Sequence, residues 1–149
     1  MNELAEPSSS TAKPVPVTLL VAVGGAFGAL ARVGVEALLP TMSMDDPRFP
    51  WATFAVNVAG ALVLGAIMAL CEVRPNAPRW LRPLAGIGFC GSFTTFSTMS
   101  VEFVQLVESR HAWLAIGYFA ASFATGVMAA FIGTRVAVVA IGRPGGTSR

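Results

Sequence analysis

The sequence predicts an all-α membrane protein with four transmembrane helices, the third of which is broken in mid-membrane. Hydrophobic residues make up 54% of the 149 residues, charged residues make up 12%, and the mean hydropathy is +0.67. Soluble domains carry about 25% charged residues, so this chain lacks the charge of a soluble enzyme or of a disordered chain. A spanning helix takes about 20 apolar residues, and the sequence contains four such stretches.

The first half of the chain holds two of these stretches. Residues 1–16 are polar and rich in serine and proline. They lack the basic start and apolar centre of a signal peptide, which predicts a disordered tail. Residues 17–39 and 51–70 are apolar and long enough to span a bilayer. Between them, residues 40–50 contain three prolines and two adjacent aspartates, a composition typical of a loop.

The third stretch, residues 84–107, is long enough to span but has an unusual composition. Glycines and hydroxyl side chains at this density disfavour an unbroken helix. In lipid, a break is tolerated only where the freed backbone groups face protein, water or an ion. The segment is therefore predicted to form two half-helices that meet inside the membrane and build an ion site. The residues concerned are Gly86, Gly88, Gly91, Ser92, Thr94, Thr95, Ser97 and Thr98.

The fourth stretch, residues 113–134, completes a membrane domain over residues 17–141, and residues 142–149 form a basic tail. Lys and Arg are enriched in the cytoplasmic segments of membrane proteins. Seven of the ten lie in the N-terminal tail, in the loop after the second span or after the fourth span, and three lie on the other side. This bias predicts a multi-pass protein of the cell membrane with both termini in the cytoplasm. A net charge of +2 is too small to indicate a nucleic-acid partner.

Gly24 and Gly28 form a GxxxG pattern in the first span, which favours close helix contact. The pattern leaves open whether that contact lies within one chain or between two.

The polar groups inside the predicted spans favour an anion as the transported ion. Guanidinium, amide and hydroxyl groups all donate hydrogen bonds, and they outnumber the acids. Because four helices are too few to enclose an aqueous pore, transport would require an oligomer. The sequence shows no nucleophile–base pair and no metal-ligand cluster, so an enzyme is not expected. The intramembrane polar groups are Arg32, Asn57, the hydroxyls of residues 92–98, Glu102, Tyr118, Ser122 and Thr125.

Three segments resemble the Fluc/CrcB family of fluoride channels. They are GGAFGALAR at residues 24–32, WATFAVNVAG at residues 51–60 and GSFTTFSTMSVE at residues 91–102. The third is the most specific, because TTFST followed by a glutamate at this spacing is hard to obtain by chance. The resemblance covers nearly the whole chain after the tail. It implies a fluoride-selective channel that exports fluoride passively from the cytoplasm and so lowers its toxicity.

The resemblance also implies an assembly. Two antiparallel subunits of a dual-topology dimer would form two fluoride pores around a structural Na+ at the dimer centre. The backbone oxygens of Gly91 and Thr94 from both subunits would hold this ion, and such oxygens suit a hard cation. A subunit that pairs with an inverted copy of itself must insert in both orientations, and therefore needs similar numbers of Lys and Arg on its two sides. The observed distribution, seven Lys and Arg on one side and three on the other, favours one fixed orientation. The partner is therefore either a second copy or an oppositely oriented homologous subunit.

Three residues take specific roles from the resemblance, and each has an ordinary alternative. Arg32 matches the vestibule arginine that attracts the anion, although it could instead extend to the lipid headgroups. Asn57 would be an amide donor to fluoride in the pore, although a lone intramembrane Asn often joins helices. Phe96 would contact fluoride through the positive edge of its ring, although most membrane phenylalanines pack in the core.

The remaining pore residues are assigned in the same way. Met99 departs from the family pattern, which has a second phenylalanine there, and a thioether has no positive ring edge. Hydroxyls near the break would supply further donors, and a buried Glu102 would lie beside the pore. Hydroxyls in the fourth span form either a track along the pore or a polar seam between helices. The hydroxyl residues meant are Thr95, Ser97, Thr98, Tyr118, Ser122 and Thr125.

Glu36 is the basis of a competing interpretation. Small proton-coupled exporters of organic cations need a membrane-embedded acid in the first span. Glu36 is the candidate for that acid, but it lies near the end of the span. A non-transporting assembly subunit is a third interpretation, which the density of intramembrane hydroxyls disfavours.

Overall fold

The computed structural model describes residues 15–141, and within them the chain is helical apart from its loops. The predicted tails, residues 1–16 and 142–149, lie outside the described residues except for Val15 and Pro16. An isolated β-bridge joins Ser43 to Asp46 in the first loop, and the described residues contain no β-strand beyond this bridge. The elements are α1 (Val17–Leu38), α2 (Trp51–Val73), a π-helical segment (Arg82–Cys90), α3 (Gly91–Phe93), α4 (Phe96–Glu108) and α5 (Ala112–Ile141).

Three helices are long and apolar enough to cross a membrane: α1, α2 and α5. They confirm the prediction of an all-α membrane protein. The segment predicted as the third span is helical but divided into three pieces, so a fourth crossing stays a prediction. At its far end, α5 runs to Ile141, seven residues past the predicted end of the fourth span, and includes Arg135.

The divided segment is irregular over much of its length. Residues 82–90 form a π-helix, a form that is rare and often found at functional sites. After the short α3, Thr94 (φ −77°, ψ 153°) and Thr95 (φ −146°, ψ 115°) are extended, and α4 begins at Phe96. The predicted break therefore lies at Thr94 and Thr95.

Gly24 and Gly28 bring α1 into contact with the π-helical segment. A Cβ atom at Gly24 would overlap the carbonyl oxygen of Leu84, and one at Gly28 would overlap that of Phe89. Glycine alone lets the two backbones approach this closely. The contact that the GxxxG pattern predicts is thus made within one chain.

Helices α2 and α5 meet through a second pair of glycines. The space beside Gly65 is taken by the backbone of Ala130, and that beside Gly133 by the carbonyl of Leu62. Thr134 Oγ1 donates to Ala130 O of its own helix at 2.9 Å and lies 3.3 Å from Gly65 O of α2. Close backbone contact of this kind replaces the hydrophobic driving force that is missing between helices in lipid.

The buried core lies between α4 and α5. Leu106, Ala115 and Tyr118 are fully buried there, next to Met99. The loop before α2 closes one end of this core, since the Phe49 ring packs edge-on against Tyr118 with centroids 5.3 Å apart. The core therefore fixes α4, whose first turn carries the predicted pore residues, against α5.

Candidate functional site

Asn57 of α2 is bonded to the backbone of the helix break. Its Nδ2 donates to Thr95 O at 3.1 Å, and its Oδ1 accepts from Thr95 N at 2.8 Å. The two bonds satisfy the amide and the carbonyl of an extended residue, much as a neighbouring strand would. The amide has two N–H groups, so one N–H remains beyond this pair of bonds.

The break also removes the usual amide donors of the carbonyl oxygens of Gly91 and Thr94. In an unbroken α-helix, Gly91 O would accept from Thr95 N and Thr94 O from Thr98 N, four residues on. Thr95 N donates to Asn57 instead, and Thr98 N donates to Thr95 Oγ1 at 3.1 Å. Gly91 is exposed, and outside its own helical turn no atom of residues 15–141 lies within 4 Å of where a Cβ would stand. Both residues predicted to hold Na+ therefore have their usual amide donors engaged by other atoms.

The hydroxyls after the break bond chiefly to one another. Thr95 caps α4 as its side chain accepts from the Thr98 amide, the usual role of a threonine at this position. Thr95 Oγ1 donates to Thr98 Oγ1 at 2.9 Å and lies 3.2 Å from Ser97 Oγ. The predicted hydroxyl donors thus lie together, and one of them, Thr95, caps the start of α4.

A cavity of about 210 Å³ opens at the break, which we call the break cavity. Phe96 and Met99 from α4, two of the residues assigned to the pore from the sequence, lie on its wall. Phe96 is 63% exposed, whereas Met99 is buried and belongs to the core. The lining residues are Asn57, Thr94, Thr95, Phe96, Met99, Ser122 and Phe123.

A second cavity of about 340 Å³, which we call the vestibule cavity, contains Arg32. The Nε of Arg32 is buried and has no hydrogen-bond partner among the described residues. An unpaired polar atom of this kind is unusual in a folded protein. Two acids, Glu36 and Glu102, share the cavity with it. The lining residues are Arg32, Glu36, Thr41, Met42, Thr53, Thr98, Val101, Glu102 and Gln105.

Glu102 is buried and held by two hydroxyl groups. Thr53 Oγ1 donates to its Oε1 and Tyr118 OH donates to its Oε2, both at 2.7 Å. A buried carboxyl group needs such partners, because leaving its oxygens unpaired in an apolar interior is unfavourable. The three side chains lie between α2, α4 and α5, beside the vestibule cavity.

The hydroxyls of α5 separate into different environments. Ser122 lines the break cavity, but its Oγ donates to the Tyr118 carbonyl one turn earlier. Thr125 Oγ1 likewise donates to Ala121 O. Tyr118 is fully buried and lines neither of the two cavities. The predicted track therefore reaches the break cavity at Ser122, while Tyr118 contacts the neighbouring carboxyl.

Six lining residues of the two cavities are absent from the sequence-based predictions, namely Thr41, Met42, Thr53, Val101, Gln105 and Phe123. Thr53 lies four residues before Asn57 and so on the same face of α2. Gln105 lies three residues after Glu102 on α4. Thr53 and Gln105 could therefore have been predicted from their helical spacing to residues already assigned to the site. Phe123 has no such sequence signal, because an apolar residue beside a predicted polar one is ordinary in a membrane helix.

Comparison with known proteins identifies relatives over most of the chain. Residues 19–134 match the family profile described as CrcB-like protein, Camphor Resistance (CrcB). A protein of Mycolicibacterium paratuberculosis named Fluoride-specific ion channel FluC 1 is 41% identical over 116 residues, which cover 78% of this chain and 86% of that protein.

Two further relatives carry similar names. Fluoride-specific ion channel FluC 1 of Mycobacterium tuberculosis is 43% identical over 115 residues, or 76% of this chain and 84% of that protein. Fluoride-specific ion channel FluC of Novosphingobium aromaticivorans is 38% identical over 119 residues, or 80% of this chain and 94% of that protein.

Proposed function

This chain belongs to the CrcB-like family, and on that premise we propose that it is a subunit of a fluoride channel through which fluoride leaves the cytoplasm passively. Relatives from several bacteria are named fluoride-specific ion channels, and the match covers most of their length. An ion channel is not an enzyme, which agrees with the sequence-based prediction. Neither the family nor these relatives support the proton-coupled exporter of organic cations.

The observation that carries the proposal is the break cavity. Fluoride is small and strongly hydrated, so a pore must replace its water with groups of positive partial charge. The second N–H of Asn57 and the ring of Phe96 lie on the same cavity. A phenyl ring is positive at its edge and can contact an anion without a formal charge. None of the residues that line this cavity is acidic.

The vestibule cavity suits the entrance to this path. The charge of Arg32 attracts anions, and its Nε has no partner within the described residues. Thr98 lines the vestibule cavity and is bonded to Thr95, which lines the break cavity. Glu102 lies beside this connection with both oxygens bonded to hydroxyl groups, so it acts in holding the wall of the path.

Na+ would bind at the carbonyl oxygens of Gly91 and Thr94, and the donor set fits this ion. Both oxygens lie where the usual amide donors are engaged by other atoms. Carbonyl oxygen is a ligand for hard cations. Two oxygens are too few for a complete coordination shell, so the remaining ligands would come from a second subunit. When bound, the ion would hold the broken segments of the two subunits together.

A second subunit is also expected from the surface around the break. Phe96 is 63% exposed, and Ser97 and Gly91 are exposed beside it. Polar backbone and hydroxyl groups facing lipid are unfavourable, and a pore residue needs a wall on its other side. We infer an antiparallel dual-topology dimer of four-span subunits that covers this surface. The Lys/Arg bias favours termini in the cytoplasm and an oppositely oriented homologue as the partner.

The proposed activity is tested by ion release from liposomes. Purified protein is reconstituted with fluoride or chloride inside, and release is followed with ion-selective electrodes. We expect fluoride to leave and chloride to remain. Phe96→Ile should slow fluoride release about tenfold or more, because it removes a ring edge from the path. Phe27→Ile is the matched control, since Phe27 on α1 is 64% exposed and lines neither the break cavity nor the vestibule cavity. Equal release of the two ions would contradict the proposal.

The partner is tested in the same assay. The chain is reconstituted alone and together with a family member of opposite Lys/Arg bias. Release only from the mixture would support a heterodimer. Rapid fluoride release from the chain alone would contradict that requirement and favour the homodimer.

A further inference from the structure

The hydroxyl groups that line the break cavity have their hydrogens engaged within the protein. Thr94 Oγ1 and Ser122 Oγ each donate to a backbone carbonyl one turn earlier, at 2.8 and 2.7 Å. Thr95 Oγ1 donates to Thr98 Oγ1 at 2.9 Å. A hydroxyl has a single hydrogen. These side chains therefore present only oxygen lone pairs to the cavity, and lone pairs do not attract an anion.

Three groups on the same wall retain a positive partial charge. One is the N–H of Asn57 that is not bonded to Thr95. The other two are the rings of Phe96 and Phe123, which carry positive partial charge at their edges. Met99 contributes a thioether, which is at most a weak acceptor. From α5, then, Phe123 rather than Ser122 carries the group suited to an anion.

The position of Phe123 is fixed by other rings. Its centroid lies 4.9 Å from that of Phe119 and 6.4 Å from that of Phe96, with an interplanar angle of 75° to the latter. Edge-to-face packing of this kind holds aromatic rings in defined orientations. Phe123 remains 51% exposed, so it is not fully covered by its neighbours.

We propose that Phe123 is an anion-contacting residue of the break cavity, which completes with Phe96 a pair of ring edges in the ion path. The inference rests on the proposed fluoride channel and adds a residue of α5 to its pore. It also explains how the cavity keeps two aromatic edges although residue 99 is a methionine.

The test compares three variants in the fluoride-release assay, with whichever assembly is active as wild type, the chain alone or the chain with its homologue. Phe123→Leu removes the ring and should slow release about tenfold. Phe123→Tyr keeps the ring and should release fluoride at close to the wild-type rate. Phe131→Leu is the matched control, because Phe131 lies on the same helix, is 53% exposed and lines neither of the two cavities. Elution as a single species confirms that each variant is folded, and Phe123→Met replaces Phe123→Leu if the latter aggregates.

Each outcome decides the inference. Slow release by Phe123→Leu with normal release by the other two variants supports it. Normal release by the folded ring-less variant overturns it and leaves the fluoride channel intact. Equal losses in Phe123→Tyr, or in Phe131→Leu, also overturn it, because packing rather than a ring edge would then be responsible. If no wild-type assembly releases fluoride, the proposed function fails and the inference fails with it.

Discussion

Replacement of Asn57 tests whether this side chain holds the helix break together. Asn57→Leu removes both bonds to Thr95, which is itself buried. Bonds between membrane helices average about 0.6 kcal/mol each, whereas a stranded buried polar group is unfavourable by about 1–3 kcal/mol. With one amide and one carbonyl stranded, we expect a loss of roughly 2–4 kcal/mol. That is a large part of the stability of a small protein.

Asn57→Asp separates this holding role from the role of donor. The carboxylate keeps an acceptor for Thr95 N but has no N–H for Thr95 O or for an anion. We expect its stability to lie between those of wild type and Asn57→Leu. Its fluoride release should nevertheless be at least as slow as that of the leucine variant, because a negative charge in the break cavity repels the ion. Stability should thus decrease from wild type to Asn57→Asp to Asn57→Leu, whereas the rate of fluoride release should be no higher in Asn57→Asp than in Asn57→Leu.

The measurements are the temperature at which the detergent-purified protein stops eluting as a single species, and the rate of fluoride release from liposomes. Thr125→Val is the control, since Thr125 Oγ1 donates only to a carbonyl of its own helix and its loss should change stability little. The reasoning is refuted if Asn57→Leu is as heat-stable as wild type. Wild-type release by Asn57→Asp would refute the donor role.

Two further predictions concern packing and the buried carboxyl. Gly28→Ala should destabilise the chain by about 1–3 kcal/mol, because the new methyl overlaps a backbone carbonyl. Gly34→Ala on the same helix meets no atom within 4 Å and should stabilise the chain by roughly 0.5–1 kcal/mol. Thermal unfolding in detergent measures both changes in stability, and equal shifts of the two variants would exclude the close contact at Gly28. Thr53→Val removes a hydrogen-bond donor to Glu102 and should lower stability by about 1 kcal/mol and slow fluoride release. Thr53→Ser keeps the hydroxyl and should preserve both stability and release. Wild-type stability and release in the valine variant would show that this bond does not matter.

The elements of the fold could be predicted from the sequence because they depend on local composition. An apolar stretch of about 20 residues predicts a spanning helix wherever it stands, and α1, α2 and α5 agree with it. Glycines followed by hydroxyls disfavour a continuous helix, and the break lies among them at Thr94 and Thr95. The end of α5 was not predictable in this way, since Arg135 interrupts the apolar stretch and the helix continues past it through residues 136–141.

The sequence by itself determined which polar side chains lie within the predicted spans, and with them the anion chemistry of the site. Only the tertiary structure decided which atoms remain free. Asn57 meets Thr95 across 38 residues, and Thr53 meets Glu102 across 49. Such bonds depend on how helices approach one another, which local composition does not specify. The same approach of the helices places Phe123 of α5 beside Phe96 of α4 on the wall of the break cavity, whereas the hydroxyl hydrogens around the break are bonded to acceptors within four residues of them.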